Sequence, residues 1–232
     1  MKTNILTSLS LLVCILIFGS SCSKTDDYRK EFQGDKEISY PGILDSAKVL
    51  PGNKRAIVRG LFTSDPKIVK YRIYWNGKQN MIEKEIKRSQ GVDLVEVLVD
   101  NLDEGGINFE IRTFDAKGNI SVPINISGVI YGDVYAAGIV NRVFNPSTTL
   151  YNATLKRLTI DWQDIDDSAI STLVTYTNLA NEVKTVNVTG TKGTSTIIEE
   201  YKTGTDVTYR TAYKPKDAID IFYVNKIETF RR

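Results

Sequence analysis

Asn108-Phe109-Glu110-Ile111-Arg112-Thr113-Phe114-Asp115-Ala116-Lys117-Gly118-Asn119-Ile120-Ser121 decides the fold. Phe109, Ile111 and Thr113 fall on one side of this stretch, and Glu110 and Arg112 fall on the other. Alternation of period two is the pattern of a strand with one buried and one wet face. Residues 115–119 supply turn chemistry and 120–126 begin a second strand, so the unit reads as a β-hairpin. A weaker echo lies at Thr208-Tyr209-Arg210-Thr211-Ala212-Tyr213, followed by turn residues and Ile219. Two such hairpins, each closing a block of roughly a hundred residues, suggest one module built twice.

The rest of the chain fits the same alphabet. In the first block, segments 56–62, 68–75, 81–87 and 92–99 read as strands. Tyr71, Ile73 and Trp75 share one face of the second of these, and Arg72 and Tyr74 share the other. Asn76-Gly77 is a strong hairpin signal because both residues tolerate positive φ. The second block opens with 139–144, and continues through 155–163, 171–177, 183–189, 195–201 and 207–213 to a closing segment at 219–230. Leu158, Ile160 and Trp162 share a face there. No apolar pattern of period 3.6 runs beyond about two turns, so short strands separated by regular turns argue for antiparallel β-sandwiches.

The start of the chain is of another kind. Lys2, an apolar run to Phe18 and Gly19-Ser20-Ser21 before Cys22 read as a secretory signal. Small residues directly before a Cys resemble a bacterial lipobox, which makes Cys22 the lipidated first residue of the mature chain. The polar, acidic Ser23-Lys24-Thr25-Asp26-Asp27 reads as a tether. Acidic residues in that place resemble the Bacteroidota signal for display on the outer face of the outer membrane.

Composition narrows the chemistry. The chain has two Cys and no His. Cys14 leaves with the signal and Cys22 takes lipid, so disulfides, thiolate catalysis and thiolate metal sites drop out. The commonest general base and metal ligand is also missing. No enzyme activity, cofactor or metal is therefore expected, with carboxylate-only glycoside hydrolysis as the remaining catalytic alternative. Net charge is +2, and Lys2 is the one charged residue before Cys22, which leaves +1 and no nucleic-acid footprint.

Tyr71-Arg72-Ile73-Tyr74-Trp75-Asn76-Gly77, together with 109–113 and 115–121, resembles the third and last two strands of a fibronectin type III domain. Leu158-Thr159-Ile160-Asp161-Trp162 resembles that fold's second strand, whose Trp is usually core. The chain as a whole is similar to an uncharacterised family of Bacteroidota surface lipoproteins, through Gly128-Val129-Ile130-Tyr131-Gly132-Asp133-Val134-Tyr135 and Asn141-Arg142. The resemblance implies an all-β fold: two tandem immunoglobulin-like, fibronectin type III-like β-sandwiches after a lipoprotein signal peptide. The expected divisions are a signal at 1–21, lipidated Cys and tether at 22–37, and sandwiches at 38–132 and 133–232. Relatives in carbohydrate-uptake neighbourhoods imply glycan as the ligand class and a cell-surface, outer-membrane address. The resemblance brings no catalytic or binding residues with it.

Trp75 and Trp162 are natural sugar platforms, but their spacing turns both inward, where core packing is the better reading. Tyr74 lies opposite Trp75 and is the more exposed candidate. Tyr131, Tyr135 and Tyr151 gather near the module boundary, either lining a ligand cleft or gluing the modules together. Asp161, Asp164, Asp166 and Asp167 lack the Gly-centred spacing of a calcium loop and read as solvated turn residues. Asp45-Ser46-Ala47 and Asp167-Ser168-Ala169 resemble the O-glycosylation sites of Bacteroidota, at Ser46 and Ser168. The Asn-x-Ser/Thr sequons at Asn119, Asn125, Asn152 and Asn187 carry no meaning in a bacterium lacking the eukaryotic machinery. The expected function is non-catalytic: a membrane-anchored glycan-binding accessory of nutrient uptake, or a spacer docking envelope proteins.

Overall fold

Strict alternation translates directly into sheets. The structure is a computed structural model describing residues 39–232. The expected signal peptide, Cys22 and the tether lie outside the described residues. Residues 45–130 form β1 (Asp45–Pro51), β2 (Arg55–Phe62), β3 (Ile68–Trp75), β4 (Asn80–Glu85), β5 (Asp93–Asp100), β6 (Gly105–Asp115) and β7 (Ile124–Ile130). They make two antiparallel sheets, ordered β1-β2-β5 and β4-β3-β6-β7. Inward residues of both layers meet in one core: Val58 and Phe62 of β2, Val95 and Val97 of β5, Ile73 of β3, Phe109 and Ile111 of β6. Asn76, Gly77 and Lys78 take left-handed φ of 50°, 61° and 69° at the tip of the β3–β4 hairpin, where Asn-Gly was expected.

The second half repeats the plan. β8 (Leu150–Asn152), β9 (Arg157–Trp162) and β12 (Thr194–Ile198) make one sheet, in the order β12-β9-β8. β11 (Val183–Val188), β10 (Ala169–Thr177) and β13 (Asp206–Tyr213) make the other, and β13 also pairs with the short β14 (Phe222–Tyr223) and β15 (Glu228–Arg231). Leu158, Ile160 and Trp162 turn into its core with Val174, Ile198, Tyr201 and Tyr209. The fold is thus two tandem β-sandwiches, and residues Pro41–Arg232 together form one compact unit.

One expectation needs correction. Residues 139–144 form no strand; a six-residue helix, α1 (Asp133–Gly138), precedes them, and Phe144 alone bridges to Trp162. The closing segment at 219–230 carries two short strands, β14 and β15, with a break between them. Asn141 explains the break. Its side-chain oxygen accepts the Thr211 N–H at 2.8 Å and its amide donates to the Lys226 carbonyl at 2.6 Å. A side chain thus fills the ladder position that a continuous strand would otherwise supply.

Candidate functional site

The end of the first sandwich and the start of the second share a third apolar cluster. Tyr131 follows β7 and Tyr135 sits on α1, with ring centroids 4.7 Å apart. Phe222 of β14 packs edge-on against both, at 5.6 Å and 5.0 Å. Edge-to-face pairs at these separations add about 0.5–1.5 kcal/mol beyond area burial. α1 is fixed by Glu104, whose carboxylate oxygens accept the Val134 and Tyr135 N–H groups at 2.7 Å each. This places the carboxylate where the exposed helical N–H groups need an acceptor.

Beside this cluster opens a cleft of about 470 Å³. Tyr131, Tyr135 and Tyr213 supply its aromatic surface, and Asp166, Ser168 and Lys216 its polar groups. The volume falls in the range of small-molecule sites. Tyr213 donates its hydroxyl to the Val140 carbonyl at 2.7 Å, which fixes the back wall. Asp166 accepts from both the hydroxyl and the N–H of Ser168, the latter at 2.8 Å. Those two bonds hold its carboxyl below the ordinary value of 3.8. Burial pushes Tyr135 and Tyr213 above their ordinary 10.0, the Ser168 contact opposing it at Tyr135. The cleft thus presents a carboxylate, phenols and a lysine amine: donors, an acceptor and ring faces. Hydrolysis by paired carboxylates needs a second acid facing the first, and this lining contains only Asp166.

The three boundary tyrosines do not stay together. Tyr151 lies on β8 and packs edge-on against Tyr201 at 5.9 Å, on the side of the second core. Pairing of Tyr151 with Leu158 on β9 turns it that way. Tyr131 and Tyr135 both line the cleft and pack against Phe222 of the second module.

Tyr74 lies on the outer face of β3, opposite the inward Ile73 and Trp75. Arg72 donates to its hydroxyl at 3.4 Å, and the Lys78 ammonium sits 5.9 Å from its ring centroid. A smaller depression of about 250 Å³ runs from Tyr74 past Lys78, Asn108, Glu110 and Asn125. Burial works against the charge on Glu110, but Arg112 and Lys78 outweigh it and hold the carboxyl below its ordinary 4.5. Every charge near Tyr74 already has a partner, and a cation covers its ring.

Both tryptophans are packing residues. Trp75 tilts against Phe109 at 6.1 Å. Trp162 is 2% exposed and donates its indole N–H to Thr196 at 3.0 Å. The acidic quartet is spent on bonds within the protein: Asp164 accepts the Gly193 N–H at 2.6 Å, and Asp167 accepts the Thr191 hydroxyl at 3.1 Å. Among the described residues no group of three or more His, Cys, Asp or Glu stands ready to hold a metal. Ser46 is exposed, with φ of 51°, at an irregularity in the β1–β2 pairing. Ser168 is half-buried in the cleft wall.

Sequence reasoning missed Arg142. It is 1% exposed, and its guanidinium donates to the carbonyls of Gln163 at 2.8 Å, Gly190 at 3.0 Å and Lys192 at 2.5 Å. It ties the loop after β9, which carries Asp166 and Ser168, to the loop before β12. Burial lowers its pKa, with Asp164 opposing.

Comparisons with known proteins add the following. Solved structures similar to this chain include the FN1-FN3 domains of chicken CNTN1, at 12% identity and TM-score 0.40, covering 84% of this chain and 69% of that one. A two-domain fibronectin type III segment of chicken tenascin is 16% identical with TM-score 0.31, covering 82% of this chain and 99% of that one. Dimeric latent PorU from Porphyromonas gingivalis is 10% identical with TM-score 0.33; 84% of this chain matches 20% of that one. No curated protein matches the chain. A family model described as a domain of unknown function, DUF4998, matches residues 22–222, and the chain therefore belongs to the DUF4998 family.

Proposed function

We propose that the protein is a non-catalytic surface lipoprotein, anchored through lipid on Cys22 in the outer membrane, that binds glycan in the cleft of its second sandwich beside the module junction. The observation that carries this reading is the shared lining of Tyr131 and Tyr135 with Asp166, Ser168 and Lys216. Aromatic faces pack against the C–H faces of a sugar ring, while a carboxylate, a hydroxyl and an ammonium match its hydroxyl groups. Tyr74 is the secondary candidate, and Lys78 must leave its ring before a sugar stacks there. Ser46, with its free surface, is the better placed of the two O-glycosylation candidates.

The test is a glycan array on purified residues 23–232 with Tyr135→Ala, Lys216→Ala and Tyr74→Ala variants. Saturable binding lost in Tyr135→Ala, weakened in Lys216→Ala and kept in Tyr74→Ala supports the cleft. Loss in Tyr74→Ala alone moves the site to the outer sheet face. A second reading, a spacer docking envelope or nutrient-uptake proteins, is favoured by the density of bonds across the module junction. An array with no signal, together with a co-purifying envelope protein, selects that reading.

A further inference from the structure

Tandem modules move relative to one another by default, unless the surface between them is extensive and well fixed. The junction of this chain departs from that default at several separate points. We propose that it is a fused joint, locked by Asp220, so that the two sandwiches turn as one rigid body and the chain acts as a fixed-angle strut.

The backbone supplies the first restraint. Tyr131, where the chain leaves the first sandwich, is pinned back onto the β1–β2 turn: its N–H donates to the Gly52 carbonyl at 3.1 Å, and the Lys54 N–H donates to its carbonyl at 2.8 Å. The exit strand therefore has no slack before α1 begins. Lys54 pairs with Asp133 at 2.6 Å and Glu104 caps α1, so the connecting helix is held to the first sandwich by two of its side chains.

The second restraint comes from far along the chain. The Ile219 N–H donates to the Pro51 carbonyl at 2.8 Å. Next to it Asp220, with its side chain 18% exposed, reaches the same β1–β2 turn. Its carboxylate takes the Asn53 N–H at 2.8 Å, Arg55 Nε at 3.0 Å and Arg55 Nη2 at 2.5 Å. A bidentate guanidinium–carboxylate pair fixes orientation as well as distance. A Cβ on Gly52 would lie 2.5 Å from an Asp220 oxygen and 2.8 Å from Ile219 Cγ1, so any side chain there has to push both residues off the turn. The third restraint is Phe222 against Tyr131 and Tyr135, which closes the second module onto the pinned exit strand.

A hinge needs one axis free of side contacts. Here the linker and the β13–β14 loop each grip the first sandwich, Phe222 closes on Tyr131, and the residues of the Asp220–Arg55 pair lie 165 positions apart in the chain. The joint holds whether or not the cleft takes glycan.

Residual dipolar couplings on 15N-labelled residues 23–232 test this without any ligand. The wild type is expected to fit a single alignment tensor across both sandwiches. Asp220→Ala and, independently, Gly52→Val are expected to require two tensors, while the couplings within each sandwich still fit its own fold. Two tensors in the wild type overturn the fused joint. A single tensor retained in both folded variants overturns the assignment of the lock to Asp220.

Discussion

Arg142→Met removes a buried cation that holds three carbonyls, and its effect on stability can be worked from the geometry. A hydrogen bond to a charged group contributes about 1.5–3 kcal/mol, and an orphaned buried acceptor costs about 1–3 kcal/mol. Gln163, Gly190 and Lys192 are exposed residues, so their carbonyls can recover water once the guanidinium is gone. That places each loss at the low end, about 1 kcal/mol, and the three together at about 3 kcal/mol. Met fills the hole with apolar volume and avoids the desolvation that lowers the Arg142 pKa, so the sum does not rise further. With a urea m-value of about 2 kcal/mol/M, the midpoint should fall by about 1.5 M. The assay is Trp162 fluorescence in a Trp75→Phe background, which reports the second sandwich alone. Arg142→Lys, whose ammonium cannot span three acceptors, should fall between. A shift below about 0.5 M for Arg142→Met would refute the view that this residue ties the two loops.

Other outcomes follow from the same contacts. Arg55 holds the Asp220 carboxyl below its ordinary 3.8, against the opposing effect of burial. Its contribution to the junction is therefore complete above pH 3.8 and is lost as pH falls through the lowered folded value; the Arg55 Nε–H resonance should shift only there. Gly60→Ala places a Cβ 2.5 Å from Leu44 Cγ, and overpacking of this kind costs about 1–3 kcal/mol, read from Trp75 fluorescence in urea. Intact-mass and peptide mapping of material from the native host should find any O-linked sugar on Ser46 before Ser168, whose hydroxyl donates to Asp166.

Much of the sandwich plan was legible because period-two alternation is local. Phe109, Ile111 and Thr113 were placed on the inner face from neighbours alone, and all three are buried. The turn after them was equally readable. Asp115 accepts the Lys117 and Asn119 N–H groups at 2.9 Å each, the local bonding for which Asp is favoured in turns. What escaped depends on partners remote in sequence. Arg142 reads as a surface cation until two distant loops bring their carbonyls to it. Asn141 meets its Thr211 partner 70 positions away, so no local pattern marks the gap it fills. Tyr151 was grouped with Tyr131 and Tyr135 by proximity in sequence, but three residues of β8 pairing turn it to the other core. The cleft arises the same way: Tyr135, Ser168 and Lys216 come from three separate segments.

The most direct test of the binding account is a titration of 15N-labelled residues 23–232 with the best glycan from the array. The account predicts saturable chemical-shift changes confined to 131–140, 166–168 and 213–216, with the rest of both sandwiches unmoved. Changes centred on Tyr74 and Glu110, or none at saturating sugar, would contradict it.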